Sequence, residues 1–233
     1  MILNIGEIKN KNHYLIASLI CFIAVGILAS LVSPKSIFNS DYLTTADYAL
    51  FLKIVNSHNQ YFNQIMIYLT TYGREVFWIL AIIFLFIFGK KEGRRTAILI
   101  AIIMFVLIPV GVLTKQAIER PRPIIPESDF LIAADSEYAF PSGHALIVSA
   151  GAAISFVSFR KTSIELTISM LLIIEAGLVC FSRIYVGGHY PLDVLGGVLL
   201  GIGISFLFVW RKKDLETYFS IMDRLTRRLS NNS

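Results

Sequence analysis

The chain has 233 residues, of which 55% are hydrophobic and only 16% are charged, and its mean hydropathy is +0.68. Soluble domains carry about 25% charged residues, so this composition argues against a soluble protein and predicts an integral membrane protein. The net charge of +5 does not indicate nucleic-acid binding, because the basic residues cluster in short segments between apolar runs, where membrane-topology signals lie.

Six apolar runs predict six membrane-spanning helices and therefore an all-α fold. A helix needs about 20 apolar residues to cross the hydrocarbon of a bilayer. The first run also has the length of a signal-peptide core, but no small-x-small cleavage site follows it at residues 30–35, so we expect an uncleaved span. The predicted spans cover residues 14–32, 61–89, 96–114, 145–159, 162–181 and 190–210.

The second predicted span is interrupted by Gly73-Arg74-Glu75. The charge-free part that follows, residues 76–89, is short for a full crossing, so the helix has to begin near Tyr61. Arg74 and Glu75 would then be partly embedded. We favour an interpretation in which their charges offset each other near the interface over one in which Arg74 reaches a phosphate site.

Two segments outside the spans have the pattern of helices that lie on a membrane surface. Within residues 33–60, Leu50, Phe51, Ile54 and Val55 share one helical face. The tail at residues 214–233 has apolar residues at helical spacing and arginines on its polar face, which predicts an amphipathic cytoplasmic helix. A dimerising or disordered tail is the alternative.

The distribution of basic residues predicts the orientation in the membrane. If six spans alternate, both termini and three basic segments lie on one side, which the positive-inside rule makes cytoplasmic. Three basic residues at the external end of the third span break this bias: Lys115, Arg120 and Arg122. Because the positive-inside rule does not explain them, we expect them to hold an anion there. The basic segments are residues 90–95, 160–161 and 211–213.

Three polar stretches, each at the external end of an apolar run, carry the groups that phosphoryl transfer requires. Positive charge around the phosphate oxygens would come from Lys115, Arg122 and Arg183. Ser142 and Gly143 open the fourth span, where unsatisfied backbone N–H groups form an anion site. The stretches are Lys115 with Arg122-Pro123, Pro141-Ser142-Gly143-His144, and Ser182-Arg183 followed by His189 and Asp193.

The two histidines of these stretches suit a nucleophile and an acid. His189 and Asp193 are one helical turn apart, so the carboxylate can accept from one ring nitrogen while the other stays unprotonated and attacks. His144, on another helix, would protonate the leaving oxygen. A lone histidine near a helix end is more often a hydrogen-bonded structural residue, but the convergence of three stretches on one side favours a site.

No metal, cofactor or disulfide is expected from the sequence. Cys21 and Cys180 lie inside apolar runs, where a thiol acts as a small apolar side chain. No Cys/His cluster has the spacing of zinc ligands. A metal held by His144 and His189 is disfavoured, because three cationic side chains close by would repel it.

The three stretches together read K-x6-R-P, P-S-G-H and S-R-x5-H-x3-D. On these residues the chain resembles the type-2 phosphatidic acid phosphatase family of integral-membrane lipid phosphatases, whose fold core is shared with vanadium haloperoxidases. The resemblance covers roughly residues 60–210 of a single domain, residues 1–233. It implies a six-span bundle and metal-independent hydrolysis through a phosphohistidine, with His189 as nucleophile, Asp193 as its orienter and His144 as acid. It places around the phosphate Lys115, Arg122, Ser142, Gly143, His144 and Arg183.

An external site and short loops predict the class of substrate. The prokaryotic branch that this chain resembles includes enzymes acting on undecaprenyl or other polyprenyl diphosphates and on phosphatidylglycerophosphate. We predict hydrolysis of a polyprenyl diphosphate to the monophosphate. The alternatives are a phosphatidylglycerophosphate or phosphatidic acid phosphatase and a lipid phosphotransferase. The predicted partners are this lipid and the bilayer, with no nucleic acid and no obligatory protein partner.

A transporter is the hypothesis from another class of protein. It would use the external charges and Glu175, which lies in the middle of the fifth span, as a substrate path. Such a path needs polar residues on several spans or broken helices in both halves, and the fourth and sixth spans have few polar residues beyond their ends. For Glu175 we therefore favour structural pairing with a polar group of a neighbouring helix over a proton relay.

Overall fold

The computed structural model describes residues 5–126, 130–133 and 137–211, and within these ranges it contains helices and no strands. The all-α prediction is confirmed for this part of the chain. The tail helix predicted at residues 214–233 lies outside the described residues. The helices are α1 (Ile5–Val32), α2 (Asp41–Val55), α3 (Gln60–Tyr72), α4 (Val76–Phe88), α5 (Lys90–Ile118), α6 (Gly143–Ser158), α7 (Ser163–Tyr185) and α8 (Pro191–Trp210).

Six membrane-spanning helices were predicted from the sequence. Judged by length and composition, fewer of the observed helices qualify as membrane spans. Among the described residues, α1, α5, α7 and α8 qualify, and the bent pair α3–α4 makes a fifth if it is one span. Helix α6 has only 16 residues, about 24 Å at 1.5 Å per residue, against about 30 Å of hydrocarbon. By length and composition alone, the described residues therefore hold four or five candidate spans, and the sixth predicted crossing, at α6, stays a prediction.

The interruption at residues 73–75 breaks the predicted second span into two helices that differ in direction by 57°. A Cβ atom at Gly73 would collide with the side chain of Val179 and the carbonyl of Leu69, so only glycine lets the end of α3 approach α7 this closely. The change of direction carries α3 across one end of the bundle, where Thr70 meets the end of α7.

The basic segment 90–95, which lies between the second and third predicted spans, forms the first turns of α5. Gly89 and Lys90 make the turn between α4 and α5, with Lys90 at a φ of 49°. The Nε of Arg94 donates to the carbonyl oxygen of Phe86 at 3.1 Å, which satisfies a carbonyl at the end of α4. The charged side chains thus extend the helix beyond its apolar part.

Helix α2 confirms the helix predicted within residues 33–60 but packs more deeply than a surface helix. Phe51 and Val55 are buried, whereas Leu50 is half exposed. Asp47 is buried on the same face. The polar side chain in this apolar face indicates a partner inside the protein.

Helix α8 lies between α1 and α6, and glycines allow the close contact with α6. A Cβ atom at Gly201 would collide with the Ser149 side chain and the carbonyl of Leu146, and one at Gly197 would lie 2.5 Å from the carbonyl oxygen of Ser142. This close packing fixes the start of α6 against the start of α8.

Candidate active site

The three predicted stretches meet at one end of the helical bundle. They lie at the end of α5 and in the loop after it, at the start of α6, and between α7 and α8. The backbone N–H of Ser142 donates to the carbonyl oxygen of Asp193 at 2.9 Å. Nη1 of Arg122 donates to the carbonyl oxygen of Gly188 at 2.6 Å. Direct hydrogen bonds therefore join all three stretches.

His189 lies in the turn between α7 and α8 and is 1% exposed. Its backbone N–H donates to the carbonyl oxygen of Arg183 at 3.1 Å, and the turn depends on Gly187, whose φ of 87° favours glycine. Nη1 of Arg122 lies 3.0 Å from Nε2 of His189. Because the guanidinium can only donate, this ring nitrogen faces the place where an anion bound by Arg122 would lie.

Asp193 is close to His189, but its hydrogen bonds go to other groups. Nδ1 of His189 lies 3.7 Å from Oδ2 of Asp193, which is longer than a hydrogen bond. Oδ2 accepts from the backbone N–H of Tyr190 at 2.9 Å, and Oδ1 accepts from Nη1 of Arg120 at 2.6 Å. His189 and Asp193 are therefore within ion-pair distance but do not form the predicted hydrogen bond.

Arg120, expected to hold an anion, is instead buried between two carboxylates. It is 4% exposed, and Nη2 donates to Oδ2 of Asp47 at 2.6 Å. Its guanidinium lies 4.2 Å from the ring centre of Tyr190. The other oxygen of Asp47 accepts from the backbone N–H of Leu192 at 3.0 Å. With both ends of its fork occupied, Arg120 links α2 to Asp193 and is not directed at a substrate.

Burial in this network shifts the pKa values of Asp47 and Tyr190, which lie outside the candidate membrane spans. Burial raises the pKa of the Asp47 carboxyl, and the neighbouring Arg120 guanidinium partly offsets that rise. Burial likewise raises the pKa of Tyr190 to about 12. Asp47 was missed by the sequence reasoning, although one signal was present: it lies four residues before Phe51, on the apolar face of α2.

The predicted phosphate-binding side chains surround the start of α6. Arg183 is 2% exposed, and its Nη1 donates to Oγ1 of Thr70 at 2.5 Å. Nζ of Lys115 pairs with Oε2 of Glu137 at 2.5 Å. The hydroxyl of Ser142 is buried and has no hydrogen-bond partner among the described residues. A buried hydroxyl of this kind, beside the N–H groups of a helix start, fits an anion that would satisfy it.

His144 follows directly and is held by α3. Its Nε2 lies 3.0 Å from the carbonyl oxygen of Thr70. Since a carbonyl only accepts, Nε2 carries a proton, and Nδ1 is the ring nitrogen that does not contact Thr70. Thr70 thus contacts both His144 and Arg183, a role that no pattern in the sequence indicated.

Arg74 satisfies both interpretations that the sequence left open. It forms an ion pair with Glu75, as the favoured interpretation predicts. Its Nη1 also lies 3.4 Å from Nδ1 of His144, so the arginine reaches the site as well. Glu175 accepts from Nε1 of Trp78 at 3.2 Å, which agrees with structural pairing.

An apolar cavity of about 420 Å³ opens from this site between α4, α5 and α6. Its polar end is lined by Arg74, Glu75, Lys115, Glu137 and Gly143. The remaining wall is almost entirely apolar, which suits a hydrocarbon chain attached to a charged group at one end. The apolar wall includes Trp78, Ile79, Met104, Leu107, Ile108 and Leu146.

The chain is similar to a known protein family and to named proteins of other organisms. Residues 95–216 match the PAP2 superfamily. The chain is 40% identical over 161 residues to an undecaprenyl-diphosphatase of Sulfolobus acidocaldarius, covering 67% of this chain and 74% of that protein. It is 30% identical over 195 residues to the undecaprenyl-diphosphatase BcrC of Bacillus subtilis, covering 78% and 96%.

A solved structure supports the fold. The crystal structure of a transmembrane PAP2 type phosphatidylglycerolphosphate phosphatase from Bacillus subtilis superimposes with a TM-score of 0.68 and 22% identity, covering 85% of this chain and 96% of that one.

A bundle of apolar helices that gathers arginines, histidines and a helix start at one end is the architecture of a membrane phosphatase. The chain belongs to the PAP2 superfamily and is a membrane hydrolase of phosphate esters. The resemblance read from the three sequence stretches is thereby confirmed.

Proposed function

We propose that the protein removes the terminal phosphate of a polyprenyl diphosphate, of the undecaprenyl type, and releases the lipid monophosphate. The observation that carries a lipid substrate is the apolar cavity that opens beside Lys115 and Gly143. A long prenyl chain would fill this groove while its head reaches the cations. Two relatives, each matched by this chain over most of its length, are named undecaprenyl-diphosphatases, which supports a diphosphate head.

The first chemical step transfers the terminal phosphoryl group to His189. Lys115, Arg122 and Arg183 neutralise its oxygens, and the N–H groups at the start of α6 donate to them. Nε2 of His189 forms a bond to phosphorus while the bond from phosphorus to the bridging oxygen breaks. That oxygen keeps the electron pair and takes a proton from His144. Asp193 stabilises the positive charge that develops on the histidine ring.

The second step returns the enzyme to its starting state. A water molecule attacks phosphorus and gives a proton to His144, which now acts as a base. The bond between phosphorus and Nε2 breaks, the electron pair returns to the ring of His189, and inorganic phosphate leaves. Arg122, which lies 3.0 Å from Nε2 without substrate, has to turn toward a phosphate oxygen before the first step.

The same proposal includes the orientation of the molecule. Helix α6 joins the candidate spans as a short sixth crossing, both termini face the cytoplasm, and the site faces outward. The positive-inside rule supports this orientation, because the basic segments 90–95 and 160–161 lie at the end of the bundle opposite His189. The substrate would then be a lipid whose phosphates lie in the outer leaflet.

Phosphate release by the purified protein tests this function. The panel holds a polyprenyl diphosphate, phosphatidylglycerophosphate, phosphatidic acid and a soluble phosphate ester, with and without EDTA. We expect the polyprenyl diphosphate to be hydrolysed best, with activity that survives EDTA and is lost in His189→Ala. Preference for a glycerophospholipid would overturn the proposed substrate, and wild-type release by His189→Ala would overturn the proposed nucleophile.

A further inference from the structure

We propose that Arg74 binds the second phosphate of the diphosphate, the one that stays on the lipid, and thereby selects diphosphates over monophosphate esters. This inference rests on the proposed function and adds a subsite to it. None of the three stretches that define the phosphate site contains Arg74, which lies at the break between α3 and α4.

The geometry of the reaction determines where such a subsite must lie. In phosphoryl transfer the attacking and leaving atoms are in line across phosphorus, so the leaving oxygen lies opposite His189 and next to its proton donor, His144. In a diphosphate this oxygen is attached to a second, charged phosphorus. In a monophosphate ester it is attached to an uncharged carbon. A group that distinguishes the two substrates therefore has to lie beside His144, beyond the leaving oxygen.

Arg74 occupies this position. Nε2 of His144 donates to Thr70, so Nδ1 is the nitrogen that serves the leaving oxygen, and Nη1 of Arg74 lies 3.4 Å from Nδ1. Arg183 and His189 are among the other groups that act electrostatically on His144. His144 thus has the terminal-phosphate residues as neighbours as well as Arg74.

The pairing with Glu75 presents the correct edge of the guanidinium. Nε and Nη2 of Arg74 both donate to Oε1 of Glu75, which leaves Nη1 directed at His144. The nearest atom to a Cβ placed on Gly143 would be this same Nη1, at 3.7 Å. The carboxylate therefore orients the arginine, and the edge that faces the start of α6 is the one that a phosphate can reach.

The cavity connects this position to the lipid chain. Arg74 lines its polar end together with Lys115 and Gly143, and the apolar wall continues along α4, α5 and α6. A diphosphate placed here would have its terminal phosphate on Lys115 and its second phosphate on Arg74, and its hydrocarbon would enter the apolar part. When the second phosphate accepts the hydrogen bond from Nη1 of Arg74, Nδ1 of His144 is released from that contact. Nδ1 can then carry the proton for the leaving oxygen.

The test compares two substrates with the same prenyl chain, the diphosphate and the monophosphate, in purified wild type, Arg74→Gln and Arg74→Lys. We expect Arg74→Gln to lower kcat/KM for the diphosphate by about tenfold to a hundredfold, the range of a charge-assisted hydrogen bond. For the monophosphate we expect a change of less than about threefold. Arg74→Lys, which keeps the charge but loses the fork, should fall between wild type and Arg74→Gln.

Inhibition supplies a second readout that does not depend on turnover of a lipid. With a soluble phosphate ester as substrate, Arg74→Gln should weaken inhibition by inorganic pyrophosphate and leave inhibition by inorganic phosphate unchanged. Arg160→Gln, an exposed arginine at the other end of the bundle, is the matched control and should change neither.

The outcomes separate this inference from the proposed function. Equal losses for diphosphate and monophosphate in both Arg74 variants, with unchanged pyrophosphate inhibition, would overturn the subsite and leave Arg74 as a partner of Glu75 only. Should Arg74→Gln fail to fold, the Arg74→Lys ratio decides alone. A wild type that shows no preference for the diphosphate would instead overturn the proposed substrate.

Discussion

Two arginines only two residues apart, Arg120 and Arg122, have different physical roles. Arg120 is fully enclosed by Asp47, Asp193 and the ring of Tyr190. Removing one member of a buried ion network leaves an uncompensated charge, which costs about 3–5 kcal/mol. Arg122 is partly exposed and contacts backbone carbonyls and His189. The first residue therefore holds the fold around Asp193, and the second is the one that we propose to bind the substrate phosphate.

This difference predicts that Arg120→Met lowers stability, whereas Arg122→Met lowers activity. Arg120→Met leaves two buried carboxylates facing each other and should lower the thermal unfolding midpoint in detergent by about 10 °C, given about 2–4 °C per kcal/mol for a chain of this size. Arg122→Met should keep the midpoint within about 3 °C and lower kcat/KM at least about a hundredfold. An Arg120→Met protein as stable as wild type would contradict the role given to the network.

The residue scale also shows what the sequence could and could not predict. Spacing within single stretches predicted His189, Asp193 and His144 as site residues, and the structure brings them to one end of the bundle, because each stretch lies where a helix begins or ends. The role of Arg120 was wrong, because charge bias alone cannot distinguish an arginine that meets an anion from one that meets Asp47, a residue 73 positions earlier. Thr70 could not be predicted, because other residues of α3 also carry a hydroxyl and every residue carries a backbone carbonyl.

At the scale of helices, the break between α3 and α4 positions two contacts of the candidate site. On one side of it Thr70 binds Arg183 and His144, and on the other side Arg74 approaches the same histidine. A straight helix would carry these residues away from each other. The sequence predicted an interruption here, but the 57° change of direction depends on how closely Gly73 packs against α7.

Gly73→Ala should therefore reduce activity through the position of α3. The added Cβ would collide with Val179, which moves Thr70 away from Arg183, so we expect kcat/KM to fall about tenfold or more, the cost of one lost hydrogen bond to a charged group. Gly177→Ala is the matched control, because nothing lies within 4 Å of a Cβ at that position. That variant should keep full activity and gain up to about 1 kcal/mol from helix propensity. Equal behaviour of the two variants would show that the break does not position the site.

At the scale of the whole molecule, charge is divided between the two ends of the bundle. Basic side chains at residues 90–95 and 160–161 are mostly exposed, whereas the cations at the other end are bound to carboxylates, carbonyls and hydroxyls. Hydropathy located every apolar helix of the described chain, because burial in lipid and burial in protein select the same side chains. The same pattern could not determine the number of crossings, because α6 is apolar but short and the second run is bent.

The orientation can be tested with cysteines at the two ends. In a background of Cys21→Ser and Cys180→Ala, Ile124→Cys lies in the loop after α5 beside the site, where Ile124 is 83% exposed. Lys161→Cys lies in the exposed turn between α6 and α7 at the other end. Because the basic end should face the cytoplasm, an impermeant maleimide applied to intact spheroplasts should label Ile124→Cys at once and Lys161→Cys only after lysis. The reverse pattern would place the site in the cytoplasm and require a substrate in the inner leaflet, while labelling of both positions in intact cells would mean that the bundle does not separate two compartments at these loops.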